Sequence, residues 1–107
     1  MPRDHDYWVY MMSNKSRSTL YIGVTNDLLV RIAQHRRGEV AGFTRDYHCV
    51  YLVHCEHFRD IRDAIAREKQ LKNWSRAKKE ALIGRANPEW RDLLAEMHAT
   101  IELGDSR

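Results

Sequence analysis

Glu68 is the most anomalous residue of this 107-residue chain. In FRDIRDAIAREKQLKNW, residues 58–74, Phe58, Ile61, Ala64, Ile65 and Leu71 recur at helical spacing, and Glu68 projects into the same stripe. A lone carboxylate on an apolar face is costly unless it is paired or binds a cation. It therefore reads either as half of an ion pair with a neighbouring arginine or a stripe edge that water reaches, or as a cation ligand. Upstream, Arg31 and His35 lie one helical turn apart, and Tyr10 and Tyr21 fall in two β-favouring runs whose period of two can bring both rings to one face. Taken singly, each has an ordinary role: the tyrosines as sheet aromatics, His35 as a surface histidine, Arg31 as the partner of Glu68.

The elements that must position these groups are legible. YWVYMM from Tyr7 to Met12 and TLYIGV from Thr19 to Val24 read as strands, and the polar SNKSRS between them makes an antiparallel hairpin with a flexible tip. Trp8, Tyr10 and Met12 share one face, as do Tyr21 and Gly23 on the partner strand. Thr25-Asn26-Asp27 supplies N-cap chemistry for a helix through LLVRIAQHRR with Leu29, Ile32 and Ala33 as its apolar stripe, Arg31 and His35 on the side away from it, and Gly38 as its end. YHCVYLVHC, residues 47–55, reads as a third, buried strand. After the helix that carries Glu68, Ser75 caps another through SRAKKEALIGR that Gly84 can terminate. Asn87-Pro88 looks like the start of a last helix with Trp90, Leu93, Leu94 and Met97 as its stripe. The order β, β, α, β, α, α, α gives an α+β fold, a short antiparallel sheet with helices packed on it.

One domain of this size must carry the whole activity. It is expected to span residues 7–98 between an N-terminal tail, 1–6, and a frayed C-terminal tail, 99–107. The chain opens without an apolar leader and no stretch approaches the ~18 apolar residues of a membrane span, so a cytoplasmic protein is expected. Cys49 and Cys55 lie too far apart along an extended strand to bond to each other, and free thiols suit a reducing compartment. His48, His54 and His57 invite a zinc reading, but no Cys-x-x-Cys pair or second ligand cluster accompanies them.

The net charge of +3 is small, and its distribution says more than its sum. Residues 1–88 hold 16 Lys or Arg against 10 Asp or Glu, whereas residues 89–107 hold 2 against 5. The basic charge is densest from Arg62 to Lys79, where Lys69, Lys72, Lys78 and Lys79 offer a phosphate-binding surface or, equally, a solvated helical face.

In register across the chain, WVYMM, then YIG at Tyr21 to Gly23, Arg31, His35 and Glu68 resemble the GIY-YIG nuclease domain. The likeness runs from about Tyr7 to Leu93. The phrases YIGVTNDLLVRIAQHRRG, FTR, REKQLKNWSRAKKEALI and NPEWRDL are similar to its small, single-domain bacterial branch. The resemblance implies a three-stranded antiparallel sheet with flanking helices, and a site made of Tyr10, Tyr21, Arg31, His35 and Glu68. The family's late asparagine falls on Asn87, which reads equally as a helix cap before proline. Phosphodiester hydrolysis needs a deprotonated nucleophile, neutralised charge at phosphorus and a stabilised leaving oxygen. The resemblance implies Tyr21 as proton acceptor, Tyr10 and His35 assisting, Arg31 on the non-bridging oxygens, and Glu68 holding one magnesium or manganese ion. It further implies a nucleic-acid substrate, DNA above RNA, in repair or recombination, with a partner protein for targeting. The first motif has lost its glycine and isoleucine, reading Trp8-Val9-Tyr10, and Val24 stands where some relatives carry lysine. The rival readings are a non-catalytic nucleic-acid-binding or repair-associated module with the same fold, and a protein-interaction domain acting through the Trp90 to Met97 helix.

Overall fold

The computed structural model describes residues 5–40 and 47–96. Strands β1 (Tyr7–Ser13), β2 (Leu20–Thr25) and β3 (Tyr51–Phe58) form one antiparallel sheet in the order β2-β1-β3. Helices α1 (Leu28–Arg36), α2 (Ile61–Asn73) and α3 (Arg76–Ala86) pack against it, so the expected α+β class and three-stranded sheet are those observed. Alternation sorts the central strand. Val9 and Met11 join Ile22 and Val53 beneath Ala64, Leu71 and Ile83 of α2 and α3. Tyr10 and Met12 join Leu52 beneath Leu28 and Ile32 of α1, with Cys49 and Leu94 closing that core. β1 is buried on both faces, which is why WVYMM is apolar throughout.

The helix boundaries follow their caps. The Asp27 carboxylate accepts from the Val30 amide at 3.2 Å to start α1. At its end Gly38 adopts φ 71°, and its N–H and that of Glu39 close on the carbonyls of His35 and Gln34. Ser75 caps α3 as expected, accepting from Lys78 N.

Several expectations shift. β3 begins at Tyr51, four residues later than the apolar run implied, because His48 turns the chain with φ 55°. It also carries a bulge: Met11 pairs with His54 and Met12 with Leu52, leaving Val53 as the extra residue. The buried stripe of α1 is Leu28, Ile32 and His35, while Leu29 is 48% exposed. Three consecutive apolar residues, Leu28 to Val30, leave the phase of such a short helix open, and contact with the sheet decides it. On α2 only Ala64 and Leu71 are buried, and Ile61 and Ile65 remain exposed. Gly84 does not end α3, which runs on to Ala86.

Asn87 does not cap the final helix. That helical turn, residues 93–96, follows Asp92, whose carboxylate accepts from the Leu94 amide. The hairpin tip is tied down: Arg76 donates to the carbonyls of Arg17 and Ser18, and Arg17 donates to that of Glu89. The FTR phrase at 43–45, Met97 and the C-terminal tail lie outside the described residues.

Candidate active site

In the sheet register Tyr10 stands directly opposite Gly23. A Cβ built on Gly23 would meet the Tyr10 hydroxyl oxygen at 2.5 Å, so the phenol ring lies across the glycine and its hydroxyl reaches over the edge strand β2. The glycine of YIG is thus a requirement of space. Gly23→Ala should cost about 1–3 kcal/mol in a urea melt, since buried Tyr10 has little room to move aside. A variant as stable as the parent would remove this account of the motif.

Three rings converge there. The Tyr10 hydroxyl and His35 Nε2 share a buried hydrogen bond of 2.9 Å. The Tyr21 ring lies 4.9 Å from His35 and 6.1 Å from Tyr10, centroid to centroid. His35 was expected on the outer side of α1, but it is 1% exposed and belongs to the buried face. Its Nδ1 is buried with no partner. An orphaned N–H costs more than an orphaned lone pair, so the imidazole carries its proton on Nε2 and donates to Tyr10. The Tyr10 hydroxyl is then free to donate to Tyr21, with which it is hydrogen-bonded.

Charge from two helices reaches this cluster. Burial and the neighbouring Tyr21 push the Tyr10 hydroxyl well above the usual phenol range, the nearby Glu68 carboxylate adds to the rise, and Arg31 opposes it. Burial, assisted by the Arg31 guanidinium, lowers His35 to about 4. His35 is therefore neutral at pH 7.

A histidine whose pKa is lower folded than unfolded contributes stability that is fully present above the unfolded value of about 6.5. That stability is lost as pH falls towards about 4. Thermal melts should lose on the order of 3 kcal/mol across this window, and His35→Gln should flatten the dependence. An unchanged profile in His35→Gln would assign the acid sensitivity elsewhere.

Glu68 comes from α2, on the other side of the sheet, yet its charge is felt at Tyr10. Its side chain is 16% exposed, and its ion-pair partner is Lys72 at 3.4 Å, one turn along the same helix and 53% exposed. No buried arginine is matched to it: Arg31 instead reaches Gln34 at 3.4 Å. Among the described residues no three His, Cys, Asp or Glu side chains group closely enough to hold a metal ion by themselves. A largely buried carboxylate with only a weak, solvated cationic partner does suit a hard divalent cation whose other ligands are water and substrate phosphate. Arg31 lines a shallow depression beside β2 with Val24, Thr25, Asn26 and Ile61, open for a phosphate to approach.

Asn87 does not join this cluster. It is 3% exposed and spends its amide on the main chain, donating to the carbonyls of Val53 and Arg91 and accepting from the Arg91 amide. It clips the segment after α3 to the bulge of β3. Trp8 packs beside His57, with centroids 4.8 Å apart. The four lysines do not form one stripe: Lys72 sits with Glu68, and Lys78 lies over the Trp74 ring. Sequence reasoning missed the burial of His35 and the contact between Gly23 and Tyr10. The signal for the second was present, since Tyr10 and Gly23 fall on facing positions of a hairpin.

Comparison with known proteins agrees with this arrangement. The sequence profile described as the GIY-YIG catalytic domain matches residues 6–81. A UPF0213 protein of Natronomonas pharaonis is 44% identical over 78 residues, covering 73% of this chain and 91% of that protein. A UPF0213 protein of Bacillus pumilus is 37% identical over 79 residues, covering 74% and 80%. The solution NMR structure of a UPF0213 protein from Bacillus halodurans superposes with a TM-score of 0.53 at 30% identity, covering 82% of this chain and 93% of that one.

Proposed function

Because the chain belongs to the GIY-YIG catalytic-domain family, a family of nuclease type, we propose that it hydrolyses phosphodiester bonds in nucleic acid, DNA in the first instance, with magnesium or manganese. The carrying observation is convergence: Tyr10, Tyr21, His35, Arg31 and Glu68, from β1, β2, α1 and α2, act on one another in one place. Separate structural roles would not require that meeting.

In this reading Tyr21 accepts the proton of the attacking water. Tyr10 donates its hydroxyl hydrogen to the Tyr21 oxygen and so favours the phenolate that Tyr21 must pass through. Neutral His35, donating to Tyr10 from Nε2, holds that hydroxyl in place. Arg31 receives the non-bridging oxygens of the phosphate in its planar fork. Glu68 would hold the divalent cation, which supplies charge stabilisation at the leaving oxygen.

The sites outside the centre are the basic residues Lys69, Lys72, Lys78 and Lys79. Replacing all four by Gln should weaken binding to every sequence alike and lower the slope of log affinity against log salt by about 3. Unchanged affinity would leave them a solvated face. Among the described residues no helix is long and apolar enough to cross a membrane. Trp90, Leu93 and Leu94 pack into this chain's own cores, which removes the described part of the surface a protein-interaction reading needs.

The test is incubation of the purified protein with labelled duplex, single-stranded, flapped and branched DNA and RNA, with and without manganese. Cleavage of any member supports the proposal. Binding without cleavage across the panel would favour a non-catalytic nucleic-acid module.

A further inference from the structure

A second feature lies apart from the ring cluster, in the angle between α2 and α3. Trp74 and Ser75 join the two helices, and the indole is half-buried against the core that contains Leu71 and Ile83. With Ala81 and Leu82 it floors a cleft whose rim is Arg67, Lys78 and Arg85. The Arg67 guanidinium lies 5.1 Å from the centre of the indole and the Lys78 ammonium 5.7 Å from it.

The three cations are not equivalent. Arg67 is fixed, donating to Glu56 at 2.8 and 3.1 Å and to Gln70 at 2.7 Å. Burial alone would raise the Glu56 carboxyl, but the hydrogen bonds from Arg67 and His54 hold it below the ordinary value, so it stays charged and the brace persists. Among the described residues Lys78 and Arg85 face no carboxylate within ion-pair distance, which leaves two cations of the rim unmatched. Lys78 lies on a flexible four-carbon stem and can leave the indole for an anion without breaking a salt bridge.

A flat apolar floor with an aromatic face, inside a rim of unmatched cations, fits a ligand with a planar apolar body and an anionic edge. We infer that the α2–α3 cleft binds an unpaired nucleotide of the nucleic-acid substrate, its base against Trp74 and its phosphate between Lys78 and Arg85, as a contact separate from the cleaving site. Base–aromatic stacking tolerates any sequence, because every base has a π-face. A paired base has no free face to offer, so the cleft distinguishes strands with unpaired nucleotides from blunt duplex. The inference rests on the nucleic-acid reading above but not on the chemistry proposed for Tyr21.

The experiment is fluorescence anisotropy with a labelled single-stranded DNA of about ten nucleotides and a blunt duplex of the same length, on the whole chain and on two variants. Trp74→Leu keeps apolar volume beneath the cleft and removes the flat face, and should weaken single-strand binding by about 5- to 100-fold. Arg85→Gln touches no core residue and should lower the single-strand salt slope by about 0.7. Both should leave duplex affinity much less affected, and melting curves identify any variant that fails to fold. If Trp74→Leu is unfolded, Arg85→Gln alone decides.

Unchanged single-strand binding in folded variants, or equal losses on both probes, would overturn the inference. Cleavage activity separates this from the proposed function. A protein that cleaves duplex but binds no single strand loses the cleft and keeps the nuclease, whereas one that binds single strands through Trp74 and cleaves nothing keeps the cleft and loses the nuclease.

Discussion

Tyr21→Phe is expected to reduce cleavage by about 10²- to 10⁴-fold, the range spanned by positioned proton-transfer groups, while folding and substrate binding stay nearly intact. The substitution removes one oxygen from a half-buried ring and leaves the Tyr10 hydroxyl without that acceptor, a loss of about 1 kcal/mol in stability. Arg31→Ala is expected to abolish cleavage for a different reason and with a different signature. A charge-assisted phosphate contact disappears, so affinity should fall by about 10- to 100-fold as well. Arg31 also holds down the pKa of both His35 and Tyr10. In Arg31→Ala the His35 imidazole should therefore titrate above about 4, moving towards its ordinary range, which an NMR titration of the ring reads directly. Cleavage by Tyr21→Phe at the parent rate would show that another group accepts the proton. An unmoved His35 titration would show that Arg31 does not face the cluster in solution.

Glu68→Gln carries the second large effect. Its side-chain volume is nearly conserved and the pair it breaks, with Lys72, is one helical turn long and largely solvated, so stability should change by only about 0.3–0.5 kcal/mol. A carboxylate matched to a buried arginine would instead have cost ~3 to 5 kcal/mol on losing its charge. Cleavage with magnesium or manganese should disappear, and nucleic-acid binding should persist or strengthen because a negative charge near the phosphate is gone. Manganese titration by calorimetry in the presence of a non-cleavable phosphorothioate substrate gives a reading independent of turnover, with heat expected for the parent and none for Glu68→Gln. A variant that melts like the parent and still cleaves with either metal would end the assignment of Glu68.

The sequence alone determined the strands of the hairpin, the three helices with printed boundaries and the α+β class, because those rest on local signals. Period-two apolarity in Tyr7 to Met12, caps at Asp27 and Ser75, and a glycine at the end of α1 need no distant partner to act. It also named the five groups that meet, through the spacing of Tyr10, Tyr21, Arg31, His35 and Glu68.

What it left open were phases and partners. Three adjacent apolar residues in α1 gave no unique buried stripe, and only the sheet beneath them placed His35 inside and Leu29 outside. The bulge at Val53 arises from pairing with β1 across more than forty residues of chain, and the end of α3 from an asparagine that binds β3. Glu68 read equally well as a pair with arginine or as a cation ligand, since its helix says only that it faces inwards. Its weak pairing with Lys72 and its reach to Tyr10 depend on how α2 lies across the sheet. Local hydrogen bonds and propensities act within a few residues and are written in the order of the chain. Burial and electrostatic partnership are set by which surfaces exclude water together, and only the packed fold decides that.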